Sequence, residues 1–388
     1  MMRFSAIMAA LMVGAAFACG ARAPDPQAPV PPPTAVATAS GLVFMSGGGK
    51  IEVLDVASGQ VVRELPGGTP SPDWRWIYTA GQGRLQQVDT ATGQSPASKV
   101  VPDWVQAVRT SGDGAWLVLT GPPSRFEVVD AAFTKKPIAV NLDGRFTFDG
   151  LSNDGKRLYL LEWVSAGRYQ VRMYDLAAGR LAPQVIADKR EIGQLMSGEA
   201  LTSLTSADGA LQFTLYQRSA KNEAFVHVLP IGRADPIAFC KDLPAPASGW
   251  GFVPGPDGRN FYAVNPPAGI TVKFVQQGPA DPAMQEARIG VRGGSPAEGK
   301  APAAVVSPDG ATLFISTWPG VVSVDTRTMK LTGRFLDGER ISGMGFAPDG
   351  AILYALSQGS RLLQLDPRSM SRVSEVSLSG LEAILHTT

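Results

Sequence analysis

The chain has little of what most catalytic and metal centres are made from. Among its 388 residues there are two histidines and two cysteines. His227 and His386 lie far apart, and no His-x-x-x-His, Cys-x-x-Cys or Gly-x-Ser-x-Gly occurs. A motif-encoded zinc site and a nucleophile-elbow hydrolase are therefore unsupported. Charge of one sign is also missing: 35 Lys and Arg balance 34 Asp and Glu, which leaves none of the basic footprint that nucleic acid demands. Beyond the N-terminus no apolar run reaches the ~20 residues of a membrane-spanning helix. Besides Cys240 the only cysteine is Cys19, directly after a processing site and a candidate for lipidation, so Cys240 has no intrachain partner and no structural disulfide is expected.

What the chain has in abundance is turn chemistry, with 43 glycines and 31 prolines. One tetrapeptide recurs. Ser307–Gly310 reads SPDG, and variants stand at 71–74, 111–114, 152–155, 206–209, 255–258 and 347–350, at spacings of about 40–54 residues. The Asp of such a turn accepts bonds from backbone N–H groups just ahead, and the Gly takes the positive φ that the turn requires. After each turn come two apolar alternating segments and a third, more polar one, as in Thr312–Thr317, Val321–Val324 and Lys330–Phe335. A period of this length signals a repeat architecture.

The economical arrangement is an all-β propeller of four-stranded antiparallel blades, in which the innermost strand precedes the turn. The N-terminal hairpins, from Leu42, lack an inner strand, and the tail Gly380–His386 is a strand without hairpins. The tail is expected to complete the first blade, closing the ring and covering its edges. Counting three-strand sets gives eight blades. Seven is the alternative, because the inner strand before Ser71 (GGTP) is short.

The repeats SPDGATLFIST…VVSVDTRT and APDGAILYALS…LLQLDPRS resemble the YVTN β-propeller repeats of bacterial secreted and surface proteins, over essentially residues 41–388. The units at 208–290 depart from the pattern, and the Gly-His and Trp-Asp signatures of WD repeats are absent. The resemblance implies a fold far more than an activity, since such propellers include lactonase-like enzymes, subunits of redox enzymes and surface proteins. It also implies that a calcium site with ligands dispersed over several blades is an option, although no such ligands match here residue by residue.

The N-terminus reads as a processing signal. Arg3 is its positive region, Phe4–Phe17 its apolar core and Ala16-Phe17-Ala18 its small-x-small site. Cys19 follows directly, as in a lipobox, though Ala16 replaces the usual Leu. The Pro-rich Ala21–Ser40 makes a stiff spacer. The organisation expected is a signal peptide at 1–18, a tether at 19–40 carrying a lipidated Cys19, and one propeller at 41–388.

Candidate site residues are few. Asp55, Asp89, Asp130, Asp175, Asp325 and Asp366 each end an apolar strand, and an Asp there caps a turn. Gly294–Ala301 (GSPAEGKA) nearly spells a phosphate loop but lacks the final Ser/Thr and the helix. Tryptophans carry more. Trp163 and Trp318 follow second strands, and Trp104 and Trp250 lie beside inner strands; all four map to one face, where they are candidates to grip a carbohydrate or peptide. Trp74, Trp76 and Trp116 map to the other face or between blades, as packing residues. The function expected is an extracytoplasmic, lipid-anchored, non-catalytic binding propeller without cofactor or metal, attached to the membrane only through its lipid. The alternatives are a lactonase-like or other hydrolytic enzyme with a dispersed metal site, and a scaffold subunit of a cell-envelope complex. An arc from Trp163 to Trp250 and Trp318 is the expected contact surface for a protein or carbohydrate ligand.

Overall fold

The computed structural model describes residues 41–388 except 189–192, 234–236, 279–280, 292, 295–300 and 359–360. The leader, Cys19, the Pro-rich segment and most of the 294–301 loop lie outside the described residues. Within them, strands assemble into eight antiparallel sheets of four. These stand as the blades of an eight-bladed β-propeller, and the only helical pieces among the described residues are the single turns Ser219–Lys221 and Pro266–Ala268.

Each blade uses one local recipe. Counting blades in chain order from the one that holds Leu42–Gly47, the strands of blade 7 are Ala304–Val306, Thr312–Ser316, Val321–Asp325 and Lys330–Phe335, hydrogen-bonded in that order. The first strand of a blade packs against the first strand of its neighbour, and this places it at the ring's centre. The turn after it is built as its residues imply. Ser307 Oγ donates to Asp309 Oδ1 at 2.5 Å, which also accepts from the Ala311 N–H at 2.9 Å, while the Thr312 N–H donates to Ser307 Oγ. The same Ser–Asp bond recurs at 2.6 Å in the turns opened by Ser71, Ser111, Ser152 and Ser206.

The six strand-end aspartates cap backbone. Asp89 Oδ1 accepts from Thr92 N–H at 2.8 Å, Asp325 Oδ1 from Thr328 N–H at 2.7 Å and Asp366 Oδ1 from Arg368 N–H at 2.8 Å. Asp55, Asp130 and Asp175 do the same for Ala57, Thr134 and Ala177.

Middle strands are buried on both faces because a neighbouring blade covers each side, so they read as continuous apolar runs. Leu353–Ser357 is buried throughout, whereas the outer Arg372–Ser377 is largely exposed. The core is accordingly divided into inter-blade layers. One joins Phe213, Leu215 and Val226 of blade 5 to Trp250, Phe261 and Phe274 of blade 6, with the Phe213 and Phe261 rings 4.2 Å apart. Each such side chain contributes about 1.5–3 kcal/mol by leaving water.

The ring closes as the orphan tail implies. Ala383–Thr387 pairs antiparallel with Leu42–Gly47 and becomes the inner strand of blade 1. His386, on that strand, stacks on Trp74 of blade 2, the ring centroids 4.9 Å apart and the planes 3° from parallel. Blade 2 is completed by the two-residue inner strand Thr69–Pro70, so the short GGTP segment still counts as one. Trp116 of blade 3 lies against the turn of blade 4. A Cβ on Gly155, whose φ is +65°, would meet Trp116 Cε2 at 2.2 Å, so only glycine fits there.

Candidate functional site: the central cavity

The inner strands of blades 1 to 6 bound a central cavity of about 960 Å³. Its wall is mixed. Blade 5 contributes the whole run Ala200–Thr205, with the Ser203 and Thr214 hydroxyls joined at 2.9 Å. Blades 1 and 2 contribute Leu385 and Trp74, and blade 3 contributes Arg109.

The chemically distinctive group is Asp149, on the inner strand of blade 4, Phe146–Leu151. Pairing with the second strand runs Phe148↔Leu160 and then Gly150↔Tyr159, so Asp149 is the extra residue of a β-bulge. A bulge re-aims one side chain out of the regular alternation. Here it brings a carboxylate into the cavity lining with only 8% of the residue exposed.

The next residue makes the arrangement possible. A Cβ at Gly150 would lie 2.4 Å from Gln212 Oε1, so glycine lets the Gln212 amide approach and donate to the Asp149 carbonyl at 2.7 Å. That bond satisfies the bulged backbone but not the side chain. Asp149 Oδ2 has no hydrogen-bond partner in the protein. Burial pushes the Asp149 carboxyl up to about 7, because the ionised form loses water without gaining a countercharge.

Behind this wall stand further buried polar atoms. The buried hydroxyls of Tyr169 and Tyr216, whose rings are 6.0 Å apart, have no hydrogen-bond partner beyond one another. Burial raises both phenols, so both stay neutral. Tyr216 stacks on Phe225 and meets the edge of His227, with centroids at 5.1 and 6.1 Å. His227 is a strand residue at 1% exposure with neither ring nitrogen bonded, and burial holds its pKa down at about 4. Among the described residues no cluster of three or more His, Cys, Asp or Glu side chains is set to hold a metal.

The four tryptophans sit on the face where the second-to-third hairpins and inter-blade connections run, but none lines this cavity. Trp250 is 2% exposed; its indole N–H donates to the Pro246 carbonyl at 2.8 Å and its ring belongs to the layer between blades 5 and 6. It offers no open face at the rim. Trp163 is half-buried, its indole bonded to Thr147 Oγ1 at 3.0 Å and its ring held between Tyr169 and the Arg145 guanidinium. Trp104 packs beside Gly121, and Trp318 has Arg340 at 5.8 Å from its ring; both are half-buried.

The tryptophan that does line the cavity is Trp74, from the opposite face, beside Phe148 and Tyr216. Asp149, Gln212 and Tyr216 were not singled out by sequence. One signal could have found the first: an Asp-Gly pair within Phe146–Leu151, where an inner strand should be apolar, marks a bulge.

No family model matches the chain, and no curated protein matches it in sequence. Solved structures do resemble it. The structure of apo AztD from Citrobacter koseri superposes with a TM-score of 0.61 at 12% identity, covering 90% of this chain and 97% of that one. A second Citrobacter koseri AztD structure gives 0.60 at 11% identity, with the same coverage. Dihydro-heme d1 dehydrogenase NirN, in complex with DHE, gives 0.56 at 15% identity, covering 93% of this chain and 77% of that one. At these identities the likeness is one of propeller fold.

Proposed function

We propose that the chain is an extracytoplasmic, lipid-anchored propeller of the YVTN type that binds a ligand without transforming it, with the central cavity as the seat. The observation that carries this reading is the wall at Asp149. A bulge, a glycine and a glutamine amide hold a carboxyl in the cavity lining while leaving Oδ2 unbonded. A buried carboxyl without a countercharge lowers stability, and a ligand that places a donor or positive charge beside it in the cavity recovers part of that loss. The leader, Cys19 and the Pro-rich spacer support export and anchoring, because acyl chains retain a protein at the membrane while a stiff tether leaves the domain free.

Two experiments test the reading. A thermal-shift screen of the full chain against sugars, cell-wall fragments, amino acids and divalent metals should find a stabilising compound. Thr202→Trp, which narrows the cavity from the inner strand of blade 5, should weaken that stabilisation. A stabiliser that acts equally on the narrowed variant sits elsewhere, with the half-buried Trp104, Trp163 and Trp318 on the connection face as the next place to look. Cys19→Ala should move the protein from the membrane to the soluble fraction of its host; retention in the membrane refutes the anchor. The hydrolytic reading draws on one observation, a carboxyl near neutrality that suits a general base. Lactone turnover abolished by Asp149→Asn would replace binding with catalysis.

A further inference from the structure

The cavity holds one carboxyl and one guanidinium, and neither is paired with the other. Arg109, on the inner strand of blade 3, is exposed and donates from Nη1 to its neighbour's carbonyl, Val108 O, at 3.0 Å; it makes no ion pair among the described residues. Asp149, on the adjacent inner strand of blade 4, also lines the cavity, and its carboxyl makes no hydrogen bond or ion pair among the described residues; of its two oxygens, Oδ2 is sealed from solvent. The other ionisable groups against Asp149 are Tyr169 and Tyr216, from the third strand of blade 4 and the second strand of blade 5, and burial keeps both phenols neutral. What remains of the wall is hydroxyls and apolar surface, including Phe148, Leu161 and Leu201.

Such a wall discriminates by charge pattern. A lone cation gains Asp149 but meets Arg109, and a lone anion meets the reverse. A molecule carrying both charges satisfies both, and its apolar portion lies on the leucines. Resting on the reading that the cavity is the ligand seat, we propose that its ligand is a small zwitterion of the amino-acid or short-peptide class, with its ammonium on Asp149 and its carboxylate on Arg109. Charge-assisted bonds to groups already held in place give this pairing its selectivity.

Calorimetric titration of the full chain tests it, with L-lysine and 6-aminohexanoate as zwitterions and hexylamine and hexanoate as single-charge controls. At pH 8 a zwitterion should bind at least about tenfold more tightly than either control, and Asp149→Asn and Arg109→Gln should each weaken it by about tenfold or more. At pH 5.5 its affinity should fall about 30-fold, because a carboxyl titrating near 7 is then only about 3% ionised. Arg109 is exposed, so its variant keeps the fold and the test stands even if Asp149→Asn unfolds. Controls binding as tightly as the zwitterions, or binding unchanged in Arg109→Gln, would overturn the proposal. Two patterns separate this failure from failure of the cavity reading. A screened ligand weakened in Thr202→Trp while zwitterions are ignored overturns only the zwitterion. A zwitterion that binds undiminished to Thr202→Trp overturns both.

Discussion

Replacing Asp149 by Asn should change how the protein's stability responds to pH, and the direction follows from the cavity wall. The carboxyl titrates at 3.8 when exposed and near 7 when folded. Below pH 3.8 both states carry the proton, and the side chain imposes no difference. Between about pH 4 and 7 the unfolded chain has released its proton while the folded chain retains it. Stability then falls by about 1.4 kcal/mol per pH unit. Over about three pH units the wild type loses about 4 kcal/mol through this one group, and above pH 7 the loss levels off. Asn cannot ionise and shows none of this. Its amide, in the same bulge, carries an unsatisfied donor worth about 1–2 kcal/mol against it at every pH. The variant should therefore be slightly less stable than wild type at pH 4 and more stable by about 2–3 kcal/mol at pH 8. Urea unfolding followed by tryptophan fluorescence at pH 4, 5.5, 7 and 8.5 measures the difference, and titrations common to both proteins cancel in it. A difference that does not vary with pH would show that Asp149 is solvated or paired, and the reasoning would fail.

Three further expectations follow from packing. Deleting residues 380–388 removes the inner strand of blade 1, the Leu381 contact and the Trp74–His386 stack; aggregation and loss of cooperative unfolding should result, and a truncated protein that melts like the parent would refute ring closure. Trp250→Ala should cost about 3–5 kcal/mol of stability, read as a lower urea midpoint, since the ring is buried between blades; an unchanged midpoint would return Trp250 to the rim. Gly155→Ala combines a positive φ with a collision against Trp116 and should cost about 2–4 kcal/mol, whereas tolerance of alanine would mean that blades 3 and 4 are packed more loosely there.

The sequence by itself determined the repeat, the turns and the closure, because each is enforced locally. A Ser and an Asp two residues apart bond one another and the backbone wherever they occur, and an apolar run of five buries itself against whichever blade is next. The tail could be assigned to blade 1 for a similar reason: it was the one strand without hairpins, and the Leu42 hairpins were the one set without an inner strand. Even the face on which Trp104, Trp163, Trp250 and Trp318 lie follows from the order of strands within a blade.

Their exposure does not follow from it. Trp250 occupies the same kind of position as Trp104, yet the turn at Pro246 and the layer between blades 5 and 6 enclose it. Whether a neighbouring blade covers a side chain depends on twist and side-chain volume across a contact, and strand order is silent on both. The cavity was hidden more deeply. Arg109, Asp149, Thr202 and Leu385 become one wall only when the ring closes, and no spacing along the chain relates them. The shifted titration of Asp149 arises from the same step. An aspartate in an isolated strand is hydrated, and only the convergence of the Phe146–Leu151 strand on blade 5 removes its water without supplying a partner.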